Sequence, residues 1–130
     1  MYVGVLQFEL LMRDSQSLKD KRRVVQSLKS KLHREHQVSV AEVAALEHHK
    51  TAVLGLAVVA REAQRCAQVL DVVLDKINAI SEARLGEHRR SVSPIEQIAL
   101  TDLEADGTPT WQARESESLA AQMLAEEREP

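Results

Sequence analysis

The segment from Thr51 to Ala60 constrains the fold of this 130-residue chain more than any other stretch. It is almost continuously apolar, yet it is too short to cross a membrane as a helix. Val53, Gly55, Ala57 and Val59 alternate with Leu54, Leu56 and Val58, and neither set is polar. A strand that is apolar on both faces is typical of the middle of a covered sheet. We therefore predict a central strand at 51–60.

The flanking segments predict two helices and three further strands. Residues 2–12 and 37–43 alternate between apolar and polar positions, which indicates strands, with Phe8 on the side that faces the helices. Apolar residues recur at helical spacing over 15–36 and 61–81, and residues 82–92 suit an edge strand. The order is βαββαβ. We predict a ferredoxin-like α+β domain at 1–92, with an antiparallel sheet and two helices on one face.

Charge is distributed unevenly along the chain. The formal net charge is −3. Residues 1–81 carry 12 Lys and Arg against 9 Asp and Glu, or +3, whereas residues 82–130 carry 5 against 11, or −6. We predict that residues 93–130 form an acidic, largely disordered tail, in which residues 118–129 suit a short amphipathic helix and Trp111 is available to dock.

The first predicted helix carries the main candidate site. Ser17 suits the N-cap, with Asp20 three residues later in a variant of the capping box. The direction of Lys21 falls inside the apolar arc, so we expect its ammonium to reach water along a buried stem; fixing the first strand or a dimer partner is the alternative. The predicted structural residues are Ser17, Leu18, Lys21, Val25 and Leu28. The exposed arc is a basic ridge made of Lys19, Arg22, Arg23, Lys29, His33 and Arg34.

Four segments resemble one known family. They are Tyr2-Val-Gly-Val-Leu, Ser17-Leu-Lys-Asp-Lys-Arg-Arg-Val-Val, Val38-Ser-Val-Ala-Glu-Val and Leu54-Gly-Leu-Ala-Val-Val. Over about residues 1–92 the chain is similar to the YlxP-like family of small bacterial proteins, a domain of unknown function. The resemblance implies a ferredoxin-like fold. Because genes of the family tend to lie beside genes for transcription elongation, translation initiation and ribosome maturation, it also implies an RNA or ribosome context.

Two functions remain open for the basic ridge. Clustered cations on a rigid helix are suited to neutralising phosphates, which favours a non-enzymatic accessory protein that contacts ribosomal or other structured RNA. The alternative is a homodimeric adaptor whose helix binds an acidic protein partner or its own tail. We expect the homodimer to form through the open sheet face or an edge, because two helices cover only one face. Base stacking on the sheet is disfavoured because residues 51–60 contain no aromatic side chain.

Other chemistry finds little support in the sequence. There is no phosphate-binding glycine loop and no nucleophile motif, so we predict no enzymatic activity, no catalytic residue and no cofactor. The five histidines lack recognised ligand spacing, and we predict no metal site. We predict no membrane or DNA partner. The single cysteine, Cys66, and the lack of a signal peptide favour the cytoplasm.

Overall fold

A computed structural model describes residues 1–98 of the chain. The chain divides into two units, with the boundary between Pro94 and Ile95. The first unit contains β1 (Tyr2–Leu11), α1 (Leu18–His36), β2 (Ser39–Ala44), β3 (Thr51–Ala60), α2 (Ala63–Asn78) and β4 (Arg84–Pro94). In the second unit, a 3-10 helix spans Ile95–Ile98. The predicted acidic tail beyond residue 98, including Trp111 and the predicted helix at 118–129, lies outside the described residues.

The four strands form one antiparallel sheet in the order β2-β3-β1-β4. The long central pair runs from Tyr2 opposite Ala60 to Leu11 opposite Thr51 without a shift in register. Both outer pairings contain a bulge, near Glu9 in the β1–β4 pair and near Val43 in the β2–β3 pair. The predicted ferredoxin-like arrangement is therefore confirmed, with 51–60 as a central strand.

The core lies between the sheet and the two helices. On β1, Leu6, Phe8, Leu10 and the following Met12 are buried, while Val5 and Gln7 are exposed, as strand alternation requires. Helix α1 packs over β2 and β3, and α2 packs over β1, β4 and β3. The helices supply Val25, Leu28, Leu32, Cys66, Val69, Leu70, Val73 and Ile77 to this core.

The ends of several elements differ from the predicted bounds. Gln37 adopts a left-handed conformation with φ of 54° and closes α1, so β2 starts at Ser39 rather than 37. Helix α2 spans 63–78 rather than 61–81, and its C-cap is Ala79. Strand β4 spans 84–94 rather than 82–92, so the regular structure continues past the predicted boundary at 92.

Candidate nucleic-acid interface

The start of α1 is fixed by two side chains. Ser17 is the N-cap, and its Oγ accepts a hydrogen bond of 3.1 Å from the backbone N–H of Asp20. The Asp20 carboxylate accepts one of 3.0 Å from the backbone N–H of Gln16. In a capping box the carboxylate would accept from the backbone N–H of the N-cap, Ser17. Here it accepts from Gln16, one residue earlier. The two bonds set the direction in which α1 leaves the β1–α1 turn.

The end of α1 is held by its last turn. The backbone N–H of Gln37 donates to the carbonyl of His33 at 2.9 Å, and Nδ1 of His33 donates to the carbonyl of Val38 at 3.2 Å in the tautomer that carries the proton there. Basic residues in this turn also oppose the negative end of the helix dipole. Both ends of α1 are thus anchored, which makes its outer face a rigid surface.

The basic ridge lies on the outer face of α1. Among its residues Lys29 is partly buried, and the others are exposed, namely Lys19, Arg22, Arg23, His33 and Arg34. Of the predicted structural residues beneath the ridge, Leu28 is buried and Leu18 is partly buried. Within residues 1–98, the ion pairs are Lys21–Glu42, His36–Glu35, Lys76–Glu35 and Arg90–Asp71, so no ridge cation pairs with a carboxylate. The described residues therefore leave the ridge charges without a paired carboxylate.

The two flanks of the ridge have different surroundings. Arg23 lines a polar cleft of about 570 Å³ that Asp14, Asp20 and Glu82 also line. The opposite flank carries Arg22 and Lys29, because they lie on the side of the helix away from the α2-facing residues. Since α1 packs over β2 and β3, this second flank overlooks the outer edge of β2. Arg22 and Lys29 therefore lie on the flank away from Asp14, Asp20 and Glu82.

Lys21 does not reach water, contrary to the sequence-based expectation. Its side chain is 1% exposed, and Nζ lies 2.8 Å from Oε1 of Glu42. Nζ also donates to the carbonyls of Ala45, Leu46 and Thr51 at 2.9, 3.3 and 3.4 Å. The carbonyls of the β2–β3 connection thus surround the ammonium and keep it inside the protein. Lys21 is a structural residue that joins α1 to that connection.

Helices α1 and α2 are joined by a second charged contact. Nζ of Lys76 donates to Oε2 of Glu35 at 2.5 Å. This hydrogen bond, reinforced by the charges of Lys76, Lys31 and His36, holds the pKa of Glu35 below its ordinary value, against a smaller opposing effect of desolvation. Lys31, which is absent from the predicted ridge, points to the α2 side of the helix. Its charge therefore faces Glu35 rather than the ridge.

Strand β4 carries cations that sequence reasoning left out of the candidate site. Arg84, His88, Arg89 and Arg90 are all exposed on this edge strand. Arg90 faces the helix layer and pairs with Asp71 of α2, whereas Arg89 lies opposite Gln7 and so faces the open side of the sheet. The signal for these cations is the run Glu87-His-Arg-Arg, which lies within the segment predicted as an edge strand.

The open sheet face lacks the features of a base-stacking platform. Within residues 1–98 the aromatic side chains are Tyr2 and Phe8, and both alternate to the helix side of β1. In the same part of the chain, no group of three or more His, Cys, Asp or Glu side chains is placed to hold a metal ion. No helix among the described residues is long and apolar enough to span a bilayer.

Comparison with known proteins identifies a family and a fold. The profile of the family described as "Protein of unknown function (DUF503)" matches residues 3–90. The chain belongs to the DUF503 family. No curated protein matches the chain. Two de novo designed proteins are similar in structure, each 12% identical and covering 72% of this chain. For Foldit4 the TM-score is 0.46 with all of that chain covered, and for LFR1 1, described as having a ferredoxin fold, it is 0.43 with 87% covered.

Proposed function

We propose that this protein is a non-enzymatic accessory protein of the bacterial cytoplasm that binds structured RNA, with ribosomal RNA as the expected target. The observation that carries the proposal is the basic ridge on α1, whose cations have no carboxylate partner within residues 1–98. Phosphates are bound by such clusters through charge neutralisation and counterion release. We also propose that the chain belongs to the YlxP-like part of its family, on the four sequence segments quoted above.

Rigidity supports this use of the helix. The ridge lies on 19 residues of helix with a side-chain cap at its start and a left-handed C-cap at its end. Fixed spacing of charges favours a duplex or folded RNA, whose phosphates are also fixed in space. Because the open sheet face lacks aromatic side chains within residues 1–98, we assign the RNA contact to α1 and not to the sheet.

Binding to an RNA hairpin in a filter or gel assay tests the proposal. Replacing Arg22 and Lys29 with Glu changes the net charge from −3 to −7 and reverses the two charges on the flank away from the carboxylates of the cleft. We expect this R22E/K29E variant to lose at least about tenfold in affinity, since two unit charges about 4 Å apart interact by about 1 kcal/mol even at the dielectric constant of bulk water.

A matched variant separates the ridge from net charge. Arg61 and Arg84 are exposed cations outside α1, and R61E/R84E also brings the net charge to −7. We expect it to bind the hairpin within about threefold of the parent chain, because the long-range effect of net charge is screened over about 10 Å at 0.1 M salt. Equal losses in the two variants would contradict a contact through α1.

An acidic protein partner or the acidic tail is the competing occupant of the same ridge. A chain ending at residue 98 lacks a segment of charge −6, counted as two Arg against eight Asp and Glu. If RNA is the occupant and the tail competes for the ridge, truncation should tighten hairpin binding and steepen its salt dependence. Failure of both the full and the truncated chain to bind the hairpin would contradict RNA binding and favour the protein partner.

A further inference from the structure

The sheet face opposite the helices is apolar at its centre. Alternation places Val3, Val5 and Leu11 of β1 on this open face, beside Val53, Ala57 and Val59 of β3. Val5, Leu11 and Val59 are 44%, 37% and 63% exposed. A solvated face of an antiparallel sheet is normally polar, so this face has the composition of a surface that is covered.

The open face also has a hollow in its middle and two side chains of opposite charge beside that hollow. Its middle holds a hollow of about 520 Å³ around Gly55, Ala41 and Ala57. Next to it, Arg89 stands on β4 opposite Gln7, and Glu9 lies two residues further along β1 on the same face. Arg89 and Glu9 do not form an ion pair with each other, since the ion pairs within residues 1–98 lie elsewhere.

We infer that the open sheet face binds a second copy of this chain, with a two-fold axis that runs across the strands between the Gln7 and Glu9 positions. Such an axis gives an isologous interface, in which the same patch is used twice. It brings Arg89 of each copy towards Glu9 of the other. It also leaves the strands of the two sheets nearly aligned, as in face-to-face sheet packing.

Shape agrees with this axis. The register pairs Gly55 with Gln7 and Val53 with Glu9, so the axis exchanges the Gly55 and Val53 positions. Gly55 has no side chain, but Cγ1 of Val43 lies 3.2 Å from the place of its missing Cβ, so Val53 of one copy meets Val43 of the other. By the same exchange Val5 lies over Leu11 of the second copy. On this axis Val53 and Val5 of each copy meet apolar side chains of the other copy.

The size of the face suits a dimer. The strands hold 10, 6, 10 and 11 residues, and at about 3.4 Å per residue and about 4.8 Å between strands they form a face of roughly 600 Å². Specific interfaces bury about 800 Å² of accessible surface on each partner, and accessible surface exceeds the flat area of a corrugated face. The helices lie on the far side of each sheet, so the dimer carries two basic ridges on opposite outer surfaces. The inference is independent of what the ridges bind.

Mixing two single variants tests the pairing of the copies. R89E places two carboxylates together at each contact, and E9R places two cations together, so each should weaken self-association by at least about tenfold. An equimolar mixture should form a heterodimer of about 29 kDa, twice the 14.5 kDa chain mass, because both contacts then join opposite charges. An ion pair within one chain could not produce this rescue. Circular dichroism verifies that each variant is folded.

Light scattering coupled to size-exclusion chromatography measures the masses. We expect the parent chain and R22E/K29E to be dimeric at about 100 μM, and V5E to be monomeric. V72E is the matched control, because Val72 is 44% exposed, like Val5, but lies on α2; it should remain dimeric. A monomeric parent chain would overturn the inference. Dimers that survive both R89E and E9R, or a mixture without rescue, would overturn the proposed axis.

Discussion

Lys21 of α1 and Glu42 of β2 form an ion pair of 2.8 Å inside the protein, where the Lys21 side chain is 1% exposed. The three backbone carbonyls that also accept from Nζ come from both ends of the β2–β3 connection. One of them belongs to Ala45, which has φ of 57°, a conformation that costs a non-glycine residue on the order of 1 kcal/mol. Lys21 therefore holds this connection in place and ties it to the helix that carries the basic ridge.

Removing the Lys21 ammonium should destabilise the fold strongly. We expect K21M to lower the free energy of unfolding by about 3–5 kcal/mol, because Glu42 and the three carbonyls lose their shared partner. Urea denaturation followed by circular dichroism measures the change. K29M is the control, since Lys29 is partly exposed and forms no ion pair within residues 1–98; it should change stability by about 0.5 kcal/mol or less.

A double variant distinguishes the ion pair from the packing of the lysine stem. In K21M/E42L the carboxylate is removed together with the ammonium, so we expect the double variant to be more stable than K21M. If K21M and K29M unfolded at the same urea concentration, the central structural role of Lys21 would be wrong.

Local patterns were sufficient to predict the elements but not the environment of Lys21. The apolar run at 51–60 predicts β3 with its observed bounds, and the capping pattern at Ser17 correctly predicts the residue before α1. The periodicity of α1 also placed Lys21 in the buried arc. Its partners, however, lie 21 residues or more along the chain, and three of them are backbone carbonyls that no side-chain pattern reveals.

Close packing at Gly4 gives a second test of the core. A Cβ atom at Gly4 would lie 3.0 Å from Cγ1 of Val58, 3.2 Å from Cβ of Cys66 and 3.3 Å from Cδ1 of Leu70. We expect G4A to cost about 1–3 kcal/mol of stability, because this buried site has little room to relax. In G4A/V58A the closest contact is removed, so the cost of the alanine at position 4, measured against V58A by urea denaturation, should be smaller. Equal costs in the two backgrounds would contradict this packing.

The contact between Glu35 and Lys76 predicts a pH-dependent contribution to stability. Because the pKa of Glu35 is lowered in the folded state, the contribution is present above the pKa of the unfolded chain and is lost as pH falls through the folded pKa. E35Q should therefore be less stable than the parent chain at pH 7, and the difference should shrink in acid. Thermal unfolding at pH 7, 4 and 3 measures it.

Glu47 offers a control for the pH series. It is exposed in the β2–β3 connection and forms no ion pair within residues 1–98. E47Q should differ little from the parent chain at any of these pH values. A gap between E35Q and the parent chain that stays constant from pH 7 to pH 3 would show that the Glu35 charge does not stabilise the fold.

Some features of the candidate site follow from residues close in sequence, whereas others depend on the tertiary fold. Helical spacing predicted which cations share the outer face of α1, since 3.6-residue periodicity is a local property. The spacing could not show that Arg23 borders a cleft with Asp14 and Glu82, because those residues come from two other turns, β1–α1 and α2–β4, that meet at one end of the sheet. It likewise could not show that Arg89 and Glu9 share the open face, which depends on the register of β1 and β4.

The salt dependence of hairpin binding tests the central claim most directly. The slope of log K against log salt concentration reports how many phosphates the protein neutralises, at about 0.7–0.9 per contact. If Arg22 and Lys29 bind phosphates, R22E/K29E should have a slope shallower by about 1.4–1.8, whereas R61E/R84E should keep the slope of the parent chain. Equal slopes in all three proteins, or no binding by the parent chain, would contradict an RNA contact through the basic ridge.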